Sequence, residues 1–263
     1  MAPPSPFRRS VTGRVSVVAH RGLSAEAPEN TMVAFRRALD AGCDLIEFDC
    51  HVTADGTIAV IHDDTLDRTT NGTGNVSEHT WEEIRALDAG RKFGVEFTGE
   101  RVPSLDELIA WAKGTPLTLS LEIKQPTPAT GRPPYPGIAE RVVDLLTAHG
   151  MERRALIHSF DHATVRHVRD LLPEAATAVS YGGGTFVDPL VLGRAADASG
   201  IHPWWAWVSP EVCRVAHDAG MHVHAWGAGE PPDPERIETL VRAGVDSLDA
   251  ADPRTLSAIL DAL

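Results

Sequence analysis

The chain has 263 residues and a mass of 28.3 kDa, close to the roughly 250 residues that an α/β barrel uses as one domain. Its hydrophobic fraction of 43% supplies a large core, so a disordered or fibrous class is excluded. With 24 basic against 37 acidic side chains the formal charge is −13, which excludes a nucleic-acid module held by a basic face and means that an anionic ligand would need a local cation.

Read from the start, MAPPSPFRRS carries two arginines but no apolar run behind them, so no secretory signal is expected. No stretch approaches the roughly 18 apolar residues of a membrane span. The expectation is a cytoplasmic protein with no stable membrane insertion. Cys43, Cys50 and Cys213 are too few and too scattered for a disulfide framework and read as buried small hydrophobes.

Strand-like runs follow at 15–20, 44–51, 57–62, 117–124, 155–160 and 176–181, with weaker ones at 199–203, 221–226 and 245–248. Amphipathic helical patterns lie between them, several ending at Gly42, Gly150, Gly220 or Gly244, where a helix commonly stops. In PENT, Asn30 and Thr31 are expected to start the first of these helices, with Asn30 as the N-cap candidate. About eight β-then-α units in one chain predict a closed parallel barrel of the TIM-type (β/α)8 class. No G-x-G-x-x-G follows a strand, which argues against a doubly wound dinucleotide fold. Residues 63–103 interrupt the rhythm and are expected to form an insertion over one barrel end, with a short helix near 80–88. The Pro-rich stretch 125–137 reads as a second loop, and the whole of 1–263 as one domain.

Polar chemistry gathers where these apolar runs end, the end that carries the site in barrels of this kind. His20 and Arg21 close the first run. Glu47 and Asp49, two apart on the next, face one side of the strand. His62 ends the third, and Glu122 and Lys124 share a face at the end of the fourth. Buried carboxylates that face one another must be compensated. Glu47, Asp49 and Glu122 form an oxygen-rich set suited to one divalent cation, Mg²⁺ or Ca²⁺, whereas zinc would favour His or Cys. Two histidines beside such a cation, with Arg21 and Lys124 near, describe a phosphoryl-transfer site with His20 and His62 as the proton-transfer pair. By parity His51 also points inward, in a supporting position behind the ligands. Trp204, Trp205 and Trp207 read either as an aromatic wall for an alcohol group or as ordinary loop packing or an oligomer contact.

The segments HRG (20–22), PENT (28–31), EFDCHVTADG (47–56), IHDDTLDRTTNGTG (61–74) and LEIK (121–124) together resemble the glycerophosphodiester phosphodiesterase family. HSFD (158–161), HPWW (202–205) and HDAGMHVHAW (217–226) extend that likeness more loosely towards residue 250. The resemblance implies a TIM-type barrel with an insertion after the second strand, and a metal-dependent hydrolysis of glycerophosphodiesters to sn-glycerol 3-phosphate and an alcohol. It further implies that His20 and His62 are the acid/base pair and that Glu47, Asp49 and Glu122 hold a Mg²⁺ or Ca²⁺ ion. Arg21, Lys124 and Trp226 would contact a small-molecule phosphodiester. Which histidine is acid, whether water or a substrate hydroxyl attacks, the head group and the oligomeric state stay open. Two departures from the family pattern, Gly227-Ala228-Gly229 after Trp226 and SLDAADP at 247–253, fall on the pocket rim and bear on the leaving alcohol. The competing readings are a lysophospholipase D-type hydrolase and a non-catalytic phosphoester-binding barrel.

Overall fold

A computed structural model describes residues 5–184 and 186–263. Nine strands run β1 (Ser16–Ala19), β2 (Leu45–Val52), β3 (Ile58–Val60), β4 (Thr118–Ile123), β5 (Ala155–Ser159), β6 (Ala176–Tyr181), β7 (Gly200–Pro203), β8 (His222–Gly229) and β9 (Ser247–Ala250). Eight of them, all but β3, pair in parallel, and β1 bonds to both β2 and β9, which closes the ring. A helix follows each barrel strand before the next begins. This is the TIM-like barrel expected from the β-then-α rhythm.

The 57–62 run is not a barrel strand. β3 pairs antiparallel with β2, with Cys50 opposite Val60 and Val52 opposite Ile58. Only residues 53–57 separate the two strands. A parallel crossover needs a dozen or more residues, so so short a link forces a hairpin. The excursion between β2 and β4 therefore begins with β3, ahead of residue 63. It has its own small core of Ala59, Ile61, Leu66, Val76, Ile84, Ala89 and Val102. Its short helix, Trp81–Arg85, is started by a Thr80–Glu83 capping box, inside the expected span.

Alternation along the barrel strands divides two environments. On β2, Ile46, Phe48 and Cys50 face the helices, where Phe48 meets Phe35 edge to face with centroids 6.0 Å apart. Both rings are fully buried, and truncating one to Ala would cost about 3–5 kcal/mol. Glu47, Asp49 and His51 take the opposite face and point into the barrel. Polar residues occupy inward positions on the later strands too: Glu122, His158, Ser180, His202, His222, His224 and Asp249 are all buried. His158, His202, His222 and His224 stack across β5, β7 and β8, and burial keeps three of them uncharged: it pushes His158 to about 3, His222 to about 4 and His202 well below the ordinary 6.5. At the far end Ser5 hydrogen-bonds His222 Nδ1 at 2.9 Å, and Phe7 packs edge-on against the same ring.

Side-chain caps fix where the outer helices start. Ser104, Asp161, Ser209, Asp233 and Asp252 each accept a backbone N–H from the first turn. At the first such helix, Met32–Asp40, the cap is Thr31, not Asn30. Asn30 instead adopts a positive φ of 55°, a conformation Asn tolerates, and its side chain turns inward. The 125–137 stretch is a loop, as expected, with one helical turn at Pro128–Thr130. It folds back on the hairpin: Tyr135 is buried edge-on against His51, and its hydroxyl lies 3.2 Å from His51 Nδ1.

Candidate active site

A cavity of about 350 Å³ opens at the C-terminal ends of the barrel strands, lined by His20, Arg21, Glu47, His62, Glu122, Lys124 and Trp226 among others. Seven of the eight residues singled out in the sequence therefore share one wall system. The eighth, Asp49, lies just beneath, 1% exposed. Glu47 and Asp49 come from β2 and Glu122 from β4, where the ladder sets Asp49 directly beside Glu122.

Among the described residues these three carboxylates form the one group of potential metal-binding side chains whose ligand atoms all lie within 4.8 Å of one another. All three are buried. Burial and the neighbouring Asp49 push the Glu47 carboxyl above its ordinary range, against the pull of His20 and Arg21. Burial likewise lifts Glu122, in spite of Lys124. Asp49 goes the other way, because Lys124 and Arg21 outweigh its burial and hold it ionised. Lys124 Nζ lies 3.0 Å from Asp49 Oδ1 and 2.7 Å from Glu122 Oε1, and Arg21 Nε lies 3.4 Å from Asp49 Oδ2. Lys124 and Arg21 both reach Asp49, while burial weighs on Glu47 and Glu122. Three clustered, buried carboxylates with an all-oxygen donor set fit a hard divalent cation.

Asn30 completes this cluster, a role the sequence reading missed. Its Nδ2 donates to Asp49 Oδ2 at 2.8 Å, and its Oδ1 accepts the Asp49 backbone N–H at 3.4 Å. Asn30 thus holds both the side chain and the backbone of Asp49. Glu47 is oriented by the Arg21 backbone N–H, which donates to Oε2 at 3.0 Å.

The two histidines share one design. His20 Nδ1 is hydrogen-bonded to Glu230, and its Nε2 faces Glu47 Oε2 at 3.8 Å. Burial opposes its charged form, but Glu230, with Glu47 and Asp249 near, overcomes it and raises the imidazole from 6.5 to about 10. His62 Nδ1 is bonded to Asp63 Oδ1 at 2.7 Å. Burial lowers His62, helped by Lys124 and Arg21 and opposed by Asp49 and Asp63. Asp63 is itself clamped by Arg68, whose Nε donates to Oδ2 at 2.7 Å. Arg68 also forks onto Glu29 at 2.7 and 2.8 Å, and Glu29 accepts from Arg21 at 3.0 Å. One continuous chain of ion pairs therefore joins the insertion to the barrel. His51 sits where parity placed it, with Nε2 2.9 Å from the His62 carbonyl oxygen, supporting the backbone that carries His62.

Glu230 and Asp249 were not legible as site residues. Glu230 follows the Gly-Ala-Gly departure at the end of β8, and Asp249 lies in the SLDAADP departure. Asp249 Oδ1 accepts the Gly227 N–H at 2.8 Å, so the two departures meet each other. His158, His202 and His224 also line the cavity, together with Phe160 and Trp204. Asp63 carried a signal that went unread: an acid immediately after a candidate proton-transfer histidine.

A parallel barrel gathers around one cavity a buried acidic triad that could hold a metal ion, two carboxylate-tethered imidazoles and two cations, the make-up of an enzyme active site. The family model for the glycerophosphoryl diester phosphodiesterase family matches residues 20–253, and the chain belongs to that family. It is 39% identical over 240 residues to a glycerophosphodiester phosphodiesterase of Caldanaerobacter subterraneus subsp. tengcongensis, covering 91% of this chain and 95% of that protein. A crystal structure of a glycerophosphodiester phosphodiesterase from Agrobacterium tumefaciens superposes with a TM-score of 0.79 at 31% identity, covering 93% of this chain and 99% of that one. An Oleispira antarctica phosphodiesterase, solved with the product sn-glycerol-3-phosphate, superposes with a TM-score of 0.82 at 26% identity over 95% of this chain and 98% of that one. No helix among the described residues is long and apolar enough to cross a membrane.

Proposed function

We propose that this protein hydrolyses glycerophosphodiesters to sn-glycerol 3-phosphate and an alcohol, with the work divided between an oxygen-ligated cation and two histidines. The observation that carries the reading is the meeting, in one cavity, of the Glu47–Asp49–Glu122 triad with two imidazoles tied at Nδ1 to carboxylates. Glu47, Asp49 and Glu122 would hold Mg²⁺ or Ca²⁺, which when bound supplies positive charge against the phosphodiester and its transition state. Arg21 and Lys124, both anchored by carboxylates, add fixed positive charge on the same wall and keep the anionic diester in place.

His20 and His62 move the protons. An oxygen nucleophile attacks phosphorus as the phosphorus–oxygen bond to the alcohol breaks: water gives glycerol 3-phosphate directly, whereas a hydroxyl of the glycerol arm gives a cyclic phosphate that water then opens to glycerol 3-phosphate. One imidazole takes the proton from the nucleophile, and the other gives one to the departing alkoxide, so the alcohol leaves neutral. Glu230 and Asp63, each on an Nδ1, fix the ring orientation and direct Nε2 towards the cavity. Family membership and the product named for the Oleispira antarctica relative support the same substrate class.

The test is product analysis with glycerophosphocholine and glycerophosphoethanolamine in the presence of Mg²⁺, Ca²⁺ or EDTA. Glycerol 3-phosphate should appear only with a divalent cation. His20→Ala and His62→Ala should each lower kcat by about 10²–10⁴ while cation binding persists. Release that survives EDTA, or near-normal turnover in either variant, overturns the assignment.

A further inference from the structure

Two kinds of surface face each other across the cavity. One carries the triad, the histidines, Arg21 and Lys124; the other is aromatic and comes from the ends of β5, β7 and β8. There Trp226 stands at 68° to Trp204, with centroids 4.6 Å apart, and at 84° to Phe160, with centroids 5.5 Å apart. All three rings line the cavity. Trp226 spends its N–H on the Tyr181 carbonyl at 3.1 Å, which locks the indole and leaves it presenting carbon and π surface. Gly227 keeps the corner tight. Its φ is +74°, and a Cβ there would lie 2.3 Å from Trp204 Cζ3, so no other residue lets the Trp204 ring close on the backbone.

The charge of the cavity points the same way. Besides the cation-binding triad its lining holds two further acids, Glu230 and Asp249, in a chain whose formal charge is −13. A phosphodiester seated with its phosphate at the triad leaves one ester arm to lie against the rings. The faces of aromatic rings attract a cation, above all one that is weakly hydrated and asks for no hydrogen bond. We propose that Phe160, Trp204 and Trp226 form a recognition site for a quaternary ammonium on the alcohol arm of the substrate, so that choline-type diesters are preferred over neutral ones. The proposal rests on the hydrolase reading above and specifies its substrate.

The deciding comparison uses the cation-loaded protein, glycerophosphocholine, and the uncharged carbon isostere in which 3,3-dimethylbutyl replaces choline. Shape is held constant and only the charge changes. The choline diester should have a kcat/KM about 3- to 30-fold higher. Phe160→Leu and Trp204→Leu should bring that ratio towards one, mainly through a higher KM for the choline diester. Because Phe160 is 49% exposed, its variant keeps the fold testable if the Trp204 variant is unstable. A ratio near one in the unmodified protein, or a ratio untouched by Phe160→Leu, overturns the proposal. A ratio below one that falls further as the alkyl arm lengthens makes the wall a lipid-chain surface and overturns it as well. If neither diester is hydrolysed the hydrolase reading fails, and titration of tryptophan fluorescence then decides separately. Quenching by choline but not by 3,3-dimethylbutanol upholds the cation site; equal or absent quenching sinks it.

Discussion

Replacing Asp63 with Asn, and separately with Ala, tests whether the tether on His62 sets its tautomer or only its position. Asp63 is held ionised, its carboxyl pulled down to about 2 chiefly by the Arg68 hydrogen bond. It accepts the His62 Nδ1–H at 2.7 Å and so leaves Nε2 with a free lone pair. In Asp63→Asn the orientation of the amide is biased by Arg68. Arg68 donates to both carboxylate oxygens, Nε to Oδ2 at 2.7 Å and Nη2 to Oδ1 at 3.0 Å, so the amide oxygen is favoured at Oδ2, where the closer donor lies, and the NH₂ at Oδ1 against His62. An N–H at that place demands a lone pair on Nδ1 and moves the ring proton to Nε2, so His62 can no longer accept a proton there. Asp63→Ala loses the tether but imposes no tautomer. The expected order of kcat is therefore the native protein, then Ala about 10-fold lower, then Asn lower by about 10²–10³, within the range for loss of one proton-transfer group. Stability should change by only about 0.5–1 kcal/mol in either variant, since side-chain exposures of 27% for Asp63 and 46% for Arg68 screen the pair. Steady-state kinetics on glycerophosphocholine at saturating cation give the order, and ¹⁵N shifts of the His62 ring report the tautomer directly. An Ala variant slower than the Asn variant would refute the tautomer argument.

Two further outcomes follow from the site and the barrel interior. Asn30→Leu frees Asp49 and should weaken Mg²⁺ or Ca²⁺ binding by about 10–100-fold, measured by calorimetry, with the helix Met32–Asp40 intact because Thr31 caps it. The buried His158, His202 and His222 have values below the ordinary 6.5, so the unfolded chain takes up protons that the folded barrel refuses as the pH drops. Stability should be fully present above pH 6.5 and decline below it, by up to about 1.4 kcal/mol per pH unit for each histidine; denaturant midpoints unchanged between pH 6.5 and pH 4.5 would contradict this.

The barrel was legible because its signals are local. Alternating apolar strands, helix-terminal glycines and polar strand ends can all be read within ten residues, and parity alone put Glu47 beside Asp49 and Glu122 beside Lys124. β3 was misread for a reason the sequence also contained. Apolar character does not distinguish a barrel strand from a returning hairpin, but the five-residue link at 53–57 does. Asn30 failed differently. Asn and Thr are both good caps, and when they stand side by side the choice depends on Asp49, which is distant in sequence but in contact in the fold. Glu230 and Asp249 were marked only through their segments, as pocket rim, and not as partners of a site residue. Their meaning comes from closure of the ring, which sets β9 beside β1 with β8 next in order, and so brings Glu230 and Asp249 to His20.

The β2–β3 ribbon acts as a ruler. His51 pairs with Ala59, the Ile61 N–H donates to the Asp49 carbonyl at 2.9 Å, and the next residue along is His62. The distance from a triad carboxylate to a proton-transfer histidine is thereby counted out in ladder bonds. One residue added at 53–57 would slip the register and exchange the two faces of β3, carrying His62 away from the cavity while leaving the barrel whole. The Pro-rich loop at 125–137 measures nothing of the kind, being pinned through side chains such as Arg132 on Asp64 and Tyr135 on His51. Two neighbouring loops thus have opposite tolerance of length change, and the shorter one is the less forgiving.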